Sequence, residues 1–290
     1  VADGPFSGRV SFEDVADRVE SIDLGDEPGT MRRQFARLVL GEGAPETSAS
    51  GGEALVVGPD GPGRVVWFHG GGYVFGSPET HRRPAEALAE RVGVPVVLPR
   101  YRLAPEHTWP AQRDDSLDAV RALQDDGHAV ALAGDSAGGH LALVVALALA
   151  REGRPVRALA LFSPNTDRTG LSDTRRPNTP RDPMNADDDD RQLADMTFGD
   201  RADGDPEVSP VLDDLGLLPP THVEVGDREV LLDDSRILVR RAEAVGVEVS
   251  IHVEPGAFHM WQLWTPWLPE ADASINRAAR FLRGRLADAT

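Results

Sequence analysis

The chain has 290 residues, 48 acidic and 30 basic, a net charge of -18, and is 40% apolar and 27% charged. So much apolar material supports a large core and excludes a disordered chain, while the acidic surface repels phosphate backbones, so no nucleic-acid partner is expected. Cysteine is absent, which excludes disulfides, thiolate metal sites and a cysteine nucleophile; every basic residue is arginine, and no function is drawn from that.

In chain order, residues 1 to about 45 contain a helical stretch at 31–40 and no strand signal. From residue 64 onward, apolar, β-branched runs at 65–68, 94–98, 129–133, 158–162, 222–225 and 249–253 alternate with helical spacing at 79–92, 111–125, 138–152, 233–245 and 270–286. This alternation predicts a mostly parallel sheet with helices on both faces, and ligands bind outside the carboxyl ends of such strands. Residues 165–207 are polar and rich in Asp, Arg and Pro and break the pattern. We expect one α/β domain over 46–164 and 208–290, with 1–45 and the 165–207 insertion forming a small helical cap above it. The acidic run Asp187 to Asp190 reads as a solvated first turn of a helix at 191–197 rather than as a cation site. The longest apolar run, 141–150, is too short to cross a bilayer, and no signal-like segment opens the chain. A cytoplasmic protein without membrane insertion is the expectation.

The strand at 129–133 runs into Gly134-Asp135-Ser136-Ala137-Gly138, and an Ala/Leu/Val helix follows at once. Strand, sharp turn and helix are the context in which G-x-S-x-G forms a nucleophile elbow, so Ser136 is the candidate nucleophile. Gly134 and Gly138 remove side chains that would meet neighbouring backbone. The strand at 65–68 leads into His69-Gly70-Gly71-Gly72-Tyr73, where consecutive glycines can turn N–H groups toward one point, as a tetrahedral oxyanion requires. Gly71, Gly72 and Ala137 are the proposed donors.

Eight histidines compete for the role of base. In this fold the base follows the nucleophile and the acid in the chain, which leaves His222, His252 and His259. His222 and His252 lie on strands, whereas His259 follows Pro255-Gly256-Ala257-Phe258 in a loop, where an imidazole can lean over the cleft. His69 reads as structural in the glycine loop, and His140 lies one turn into the helix after Ser136. The acid belongs after the strand at 221–225; Asp227 and Glu229 are not separated by this reasoning, and Asp233 and Asp234 are explained by helix capping.

Together these residues resemble the bacterial hormone-sensitive lipase-like esterases of the α/β-hydrolase superfamily. The matching blocks are HGGGY at 69–73, YRLAPEHTWP at 101–110, GDSAGG at 134–139, and the pair 226–233 and 255–261. The resemblance implies Glu229 as the triad acid, through its G-x-x-acid-x-L-x-D pattern on Gly226, Glu229, Leu231 and Asp233. Glutamate there is a departure from the commoner aspartate, and Asp227 is the reserve. It also implies a substrate-binding role for Tyr73. A second departure is Arg100, where relatives carry Asp.

The function expected is hydrolysis of small to medium acyl esters through an acyl-enzyme, with no metal and no organic cofactor. A small-molecule ester is the expected partner, and a homodimer is left open. Amide or formamide hydrolysis of the arylformamidase type is the alternative. A non-catalytic, receptor-like binding protein is the reading from a different class.

Overall fold

The computed structural model describes residues 4–287. Its centre is a seven-stranded sheet in the order β1-β3-β2-β4-β5-β6-β7. The strands are β1 (Gly52–Val57), β2 (Gly63–Phe68), β3 (Val96–Arg100), β4 (Ala129–Asp135), β5 (Leu159–Phe162), β6 (Thr221–Gly226) and β7 (Val249–Glu254). Only β1 is antiparallel to its neighbour β3; the other pairings are parallel. Six strands fall on the predicted runs. β1 was not expected, because its residues are mostly exposed and it carries Gly52 and Glu53 where an alternating apolar face would signal a strand.

Residue alternation along β2 builds a core on each face. Val66 and Phe68 join the core formed with helices α4 (Ala111–Asp125), α5 (Ala137–Arg151) and α8 (Leu232–Ala244). Val65 and Trp67 point the other way, into the core with α3 (Arg82–Val92) and α9 (Pro269–Ala287). Helix α5 is apolar on nearly every side and is buried accordingly.

A third core lies at the carboxyl edge. Helices α1 (Phe12–Glu20) and α2 (Pro28–Leu40) place Val15, Val19, Phe35 and Leu38 against Phe258, Trp261 and Trp264 of the segment after β7. Helix α1 was missed from the sequence, although Ser11 and Asp14 form a capping box at its start: Ser11 Oγ accepts the Asp14 N–H at 3.2 Å, and Asp14 accepts the Ser11 N–H at 2.8 Å. Between β5 and β6 the chain forms α6 (Arg175–Asn178) and α7 (Asp187–Phe198), so the acidic run is the first turn of α7 itself. Among the described residues no helix is long and apolar enough to cross a membrane.

Candidate active site

Strand β4 delivers Ser136 to the amino end of α5 with φ 54° and ψ -121°. A positive φ on a non-glycine residue is strained and persists only where the surroundings hold it. Here Ser136 N–H donates to Phe162 O at 2.9 Å, and Ser136 O accepts the N–H groups of His140 and Asn165 at 3.1 and 3.2 Å. The two motif glycines are explained by contact. A Cβ on Gly134 would collide with the Gly138 carbonyl, and one on Gly138 with the carbonyls of Phe68 and His69.

The loop after β7 turns back through Met260, at φ 58°, and brings His259 over the elbow. His259 Nε2 lies 2.8 Å from Ser136 Oγ, and Nδ1 lies 3.0 Å from Glu229 Oε2. Glu229 is fully buried, and its other oxygen accepts the Ser163 hydroxyl at 2.7 Å and the Gly226 N–H at 2.6 Å. Burial disfavours the charged imidazolium, but the hydrogen bond and charge of Glu229, with Asp182 and Asp135 beyond, outweigh it and hold the His259 pKa above its ordinary value. Asp227 has a different partner: its Oδ1 accepts the Gly256 N–H at 2.8 Å and fixes the turn before His259.

The glycine loop leaves β2 beside the elbow. Gly71, Gly72 and Tyr73 all take positive φ, at 113°, 58° and 65°. The Gly70 N–H is committed to Asp135 Oδ2 at 3.0 Å. Among the described residues, the N–H groups of Gly71, Gly72 and Ala137 donate to no protein acceptor.

Several residues that position the site were not singled out from sequence. Asp135, buried inside the elbow motif, accepts Trp67 Nε1–H at 2.8 Å and the Gly70 N–H, and lies 3.0 Å from His81 Nε2. Burial works against its charge, yet His81 and Trp67 hold its carboxyl below the usual range. One carboxylate thereby ties the glycine loop to the elbow. Asp182, from the stretch between α6 and α7, accepts the His259 N–H and the Val230 N–H, each at 3.2 Å. Burial and the charge of Glu229 push its pKa up to about 6, against the pull of His259 and those N–H groups. Neither role has a motif, because each depends on contacts distant in the chain.

His69, His222 and His252 have structural partners. His69 stacks on Tyr101, with ring centroids 4.3 Å apart, and Tyr101 donates to His69 O at 2.6 Å. Burial and the neighbouring His81 press the His69 pKa down to about 3. His222 meets Glu224 and His252 meets Glu254 along the sheet.

Three expectations need correction. Tyr73, assigned to substrate, is buried: its hydroxyl lies 2.6 Å from His140 Nδ1, and its ring packs edge-on against Trp109 and Phe198. The positive φ that lets the glycine loop turn also directs this ring into the core. Asp187 and Asp190 are not solvated but buried, and Asp190 accepts from Arg175 at 2.8 Å and Arg168 at 2.9 Å. Asp234 is no cap either, since it is fully buried and accepts the Thr166 and Asp167 N–H groups and Arg175. Arg100, the other departure, pairs with Glu79, with Nη1 to Oε2 at 3.1 Å.

The fold agrees with what the chain is similar to. The α/β-hydrolase-fold profile matches residues 65–263. The chain belongs to the α/β hydrolases. Among curated relatives it is 37% identical over 225 residues to an acetyl-hydrolase of Streptomyces hygroscopicus, covering 76% of this chain and 75% of that one. An esterase of Acinetobacter venetianus is 35% identical, covering 75% and 73%. Among solved structures, an esterase of the bacterial hormone-sensitive lipase family superposes with a TM-score of 0.86 at 31% identity, covering 95% of this chain and 98% of that one. A hormone-sensitive lipase from a metagenome library gives 0.85 at 29%, covering 95% and 97%. Within the α/β hydrolases the chain is therefore a carboxylesterase of the bacterial hormone-sensitive lipase type.

Proposed function

We propose that this esterase cleaves small to medium acyl esters through a Ser136–His259–Glu229 triad and an acyl-enzyme. The observation that carries the reading is the continuous hydrogen-bond chain from Ser136 Oγ through both nitrogens of His259 to Glu229, at 2.8 and 3.0 Å. His259 Nε2 takes the proton of Ser136 as Oγ attacks the ester carbonyl, then gives it to the departing alcohol. Water, deprotonated by the same nitrogen, attacks the acyl-enzyme and releases the acid. Glu229 keeps Nδ1 protonated and stabilises the imidazolium formed in each half. The free N–H groups of Gly71, Gly72 and Ala137 are the donors for the oxyanion; losing one such donor costs on the order of 10²–10³ in turnover. Segments 1–45 and 165–207 act as the cap that bounds the substrate.

A fluorophosphonate should label Ser136 stoichiometrically, and Ser136→Ala should abolish both labelling and hydrolysis of 4-nitrophenyl butyrate while keeping the wild-type melting temperature. Labelling at another serine refutes the assignment. Aryl amides and formanilides measured alongside would expose amidase chemistry by a higher kcat/KM than the matched ester.

A further inference from the structure

A cavity of about 370 Å³ is lined by residues that touch His259 and the glycine loop, though by no member of the triad itself, and nothing in the proposed chemistry accounts for its charge. Two of its residues back the glycine loop: a Cβ on Gly71 would meet Phe75, and one on Gly72 would meet the Leu193 side chain. A third, Asp182, holds the His259 N–H. The floor is apolar, with Ile22, Met31 and the Phe75 ring, whereas Glu20, Asp23, Asp26 and Asp189 stand exposed at the mouth. Among the described residues lining this cavity there is no Arg and no His. Among those same residues, none of the four mouth carboxylates takes part in an ion pair, although ion pairs are frequent elsewhere on the surface. Partial burial, with the charges of Asp188, Asp26 and Asp190 beside it, holds Asp189 above its ordinary pKa.

We infer that this cavity takes the non-reacting end of the ester and selects it by charge, favouring an alkylated ammonium over its neutral isostere and rejecting a carboxylate. The inference rests on the Ser136 reading and adds the substrate class to it. Several uncompensated carboxylates within a Debye length attract a cation at the mouth, and the apolar floor with its aromatic ring suits the methyl groups and the charge of a quaternary ammonium. A substrate carboxylate would meet the same field with no basic partner.

The test compares kcat/KM, at fixed pH and ionic strength, for the butyrate esters of choline, of its neutral isostere 3,3-dimethylbutan-1-ol, and of 4-hydroxybutanoate. A matching series of 4-nitrophenyl esters carries the same three end groups on the acyl side. In at least one series we expect the cationic ester to exceed its isostere by on the order of tenfold and the anionic one to fall below it by a similar factor. In Asp26→Asn/Asp189→Asn both ratios should move toward one, and 1 M salt should compress them in the wild-type protein. Equal rates across both series, or ratios unchanged in the double variant, overturn the inference. So does failure to turn over any of these esters while Ser136 is still labelled by the fluorophosphonate. Absence of labelling at Ser136 instead overturns the proposed function beneath it.

Discussion

Glu229 and Asp227 stand two positions apart on one turn, yet only Glu229 reaches His259, while Asp227 holds the Gly256 N–H. In the proposed triad, Glu229→Gln frees the imidazole to take the wrong tautomer, and a loss of roughly 10⁴ in turnover is expected with little change in substrate affinity or melting temperature. Asp227→Asn should keep most activity and lose about 1 kcal/mol of stability, because it weakens a single turn hydrogen bond. Steady-state kinetics on the two variants decides between them; a dead Asp227→Asn beside an active Glu229→Gln refutes the Glu229 assignment. The pH profile tests the same residues. In the proposed triad only neutral His259 can accept the Ser136 proton, and Glu229 and Asp182 raise its pKa against the effect of burial. The kcat/KM should therefore rise with pH through a midpoint above the ordinary histidine value of about 6.5. Asp182→Asn removes one of the raising charges, so its midpoint should lie lower; an equal or higher midpoint in a pH–rate profile counts against this account.

Helix α2 reaches the turn after the glycine loop through Arg32. Arg32, buried, donates to Val74 O and Ala104 O at 2.8 Å each and pairs with both oxygens of Glu106. Val74 belongs to the turn that follows the glycine loop, so the amino-terminal helix holds the backbone whose N–H groups are the proposed oxyanion donors. Arg32→Met should destabilise by about 2–4 kcal/mol, because two buried carbonyls lose their donor. It should also lower kcat more than it raises KM as the loop loosens. Arg37→Ala, which removes an exposed pair between that helix residue and Glu42, should cost under about 1 kcal/mol, and urea titration of both variants checks the two values. The 101–110 block acts in a comparable way, since Tyr101 holds the His69 carbonyl and Trp109 N–H donates to Thr197 O of α7 at 2.9 Å. Such motif residues brace the glycine loop without touching the reacting atoms.

At the scale of the molecule, the segment between β5 and β6 is bound to the sheet by a buried ionic network. Arg175 donates to Asp190 of α7, Asp234 of α8, Asn165 Oδ1 and Asp167 O. Asn165 N–H in turn donates to the Ser136 carbonyl, so the network ends on the turn at Ser136. Burial works against the Arg175 charge, but Asp234 and Asp190 more than compensate and hold it protonated at any working pH. Removing one partner of a buried ion pair typically costs about 3–5 kcal/mol, and Arg175→Met should lose that much in denaturant unfolding. Adding Asp234→Asn should recover part of the loss, since the carboxylate left without an arginine is neutralised; strictly additive losses would show that the two side chains are not coupled.

Local chemistry made much of this protein legible in its sequence. Hydrophobic period and β-branched runs marked six strands, and the Gly134–Gly138 elbow, the 69–73 glycines and the loop before His259 are contiguous signals whose meaning lies in backbone geometry. Exposed β1 carried no such period. For the acid, the residues alone left Asp227 and Glu229 level, because both sit on the same turn and only the direction of the side chain separates them. The interior had to be seen folded. Tyr73, Asp182, Asp190 and Asp234 look like surface or substrate-facing residues in the chain, but burial commits a polar group to whichever partner tertiary packing supplies, and those partners lie 15 to 77 residues away. The uncompensated carboxylates around the cavity emerge in the same way, since α1, the loop after it and α7 meet only when the sheet brings them together.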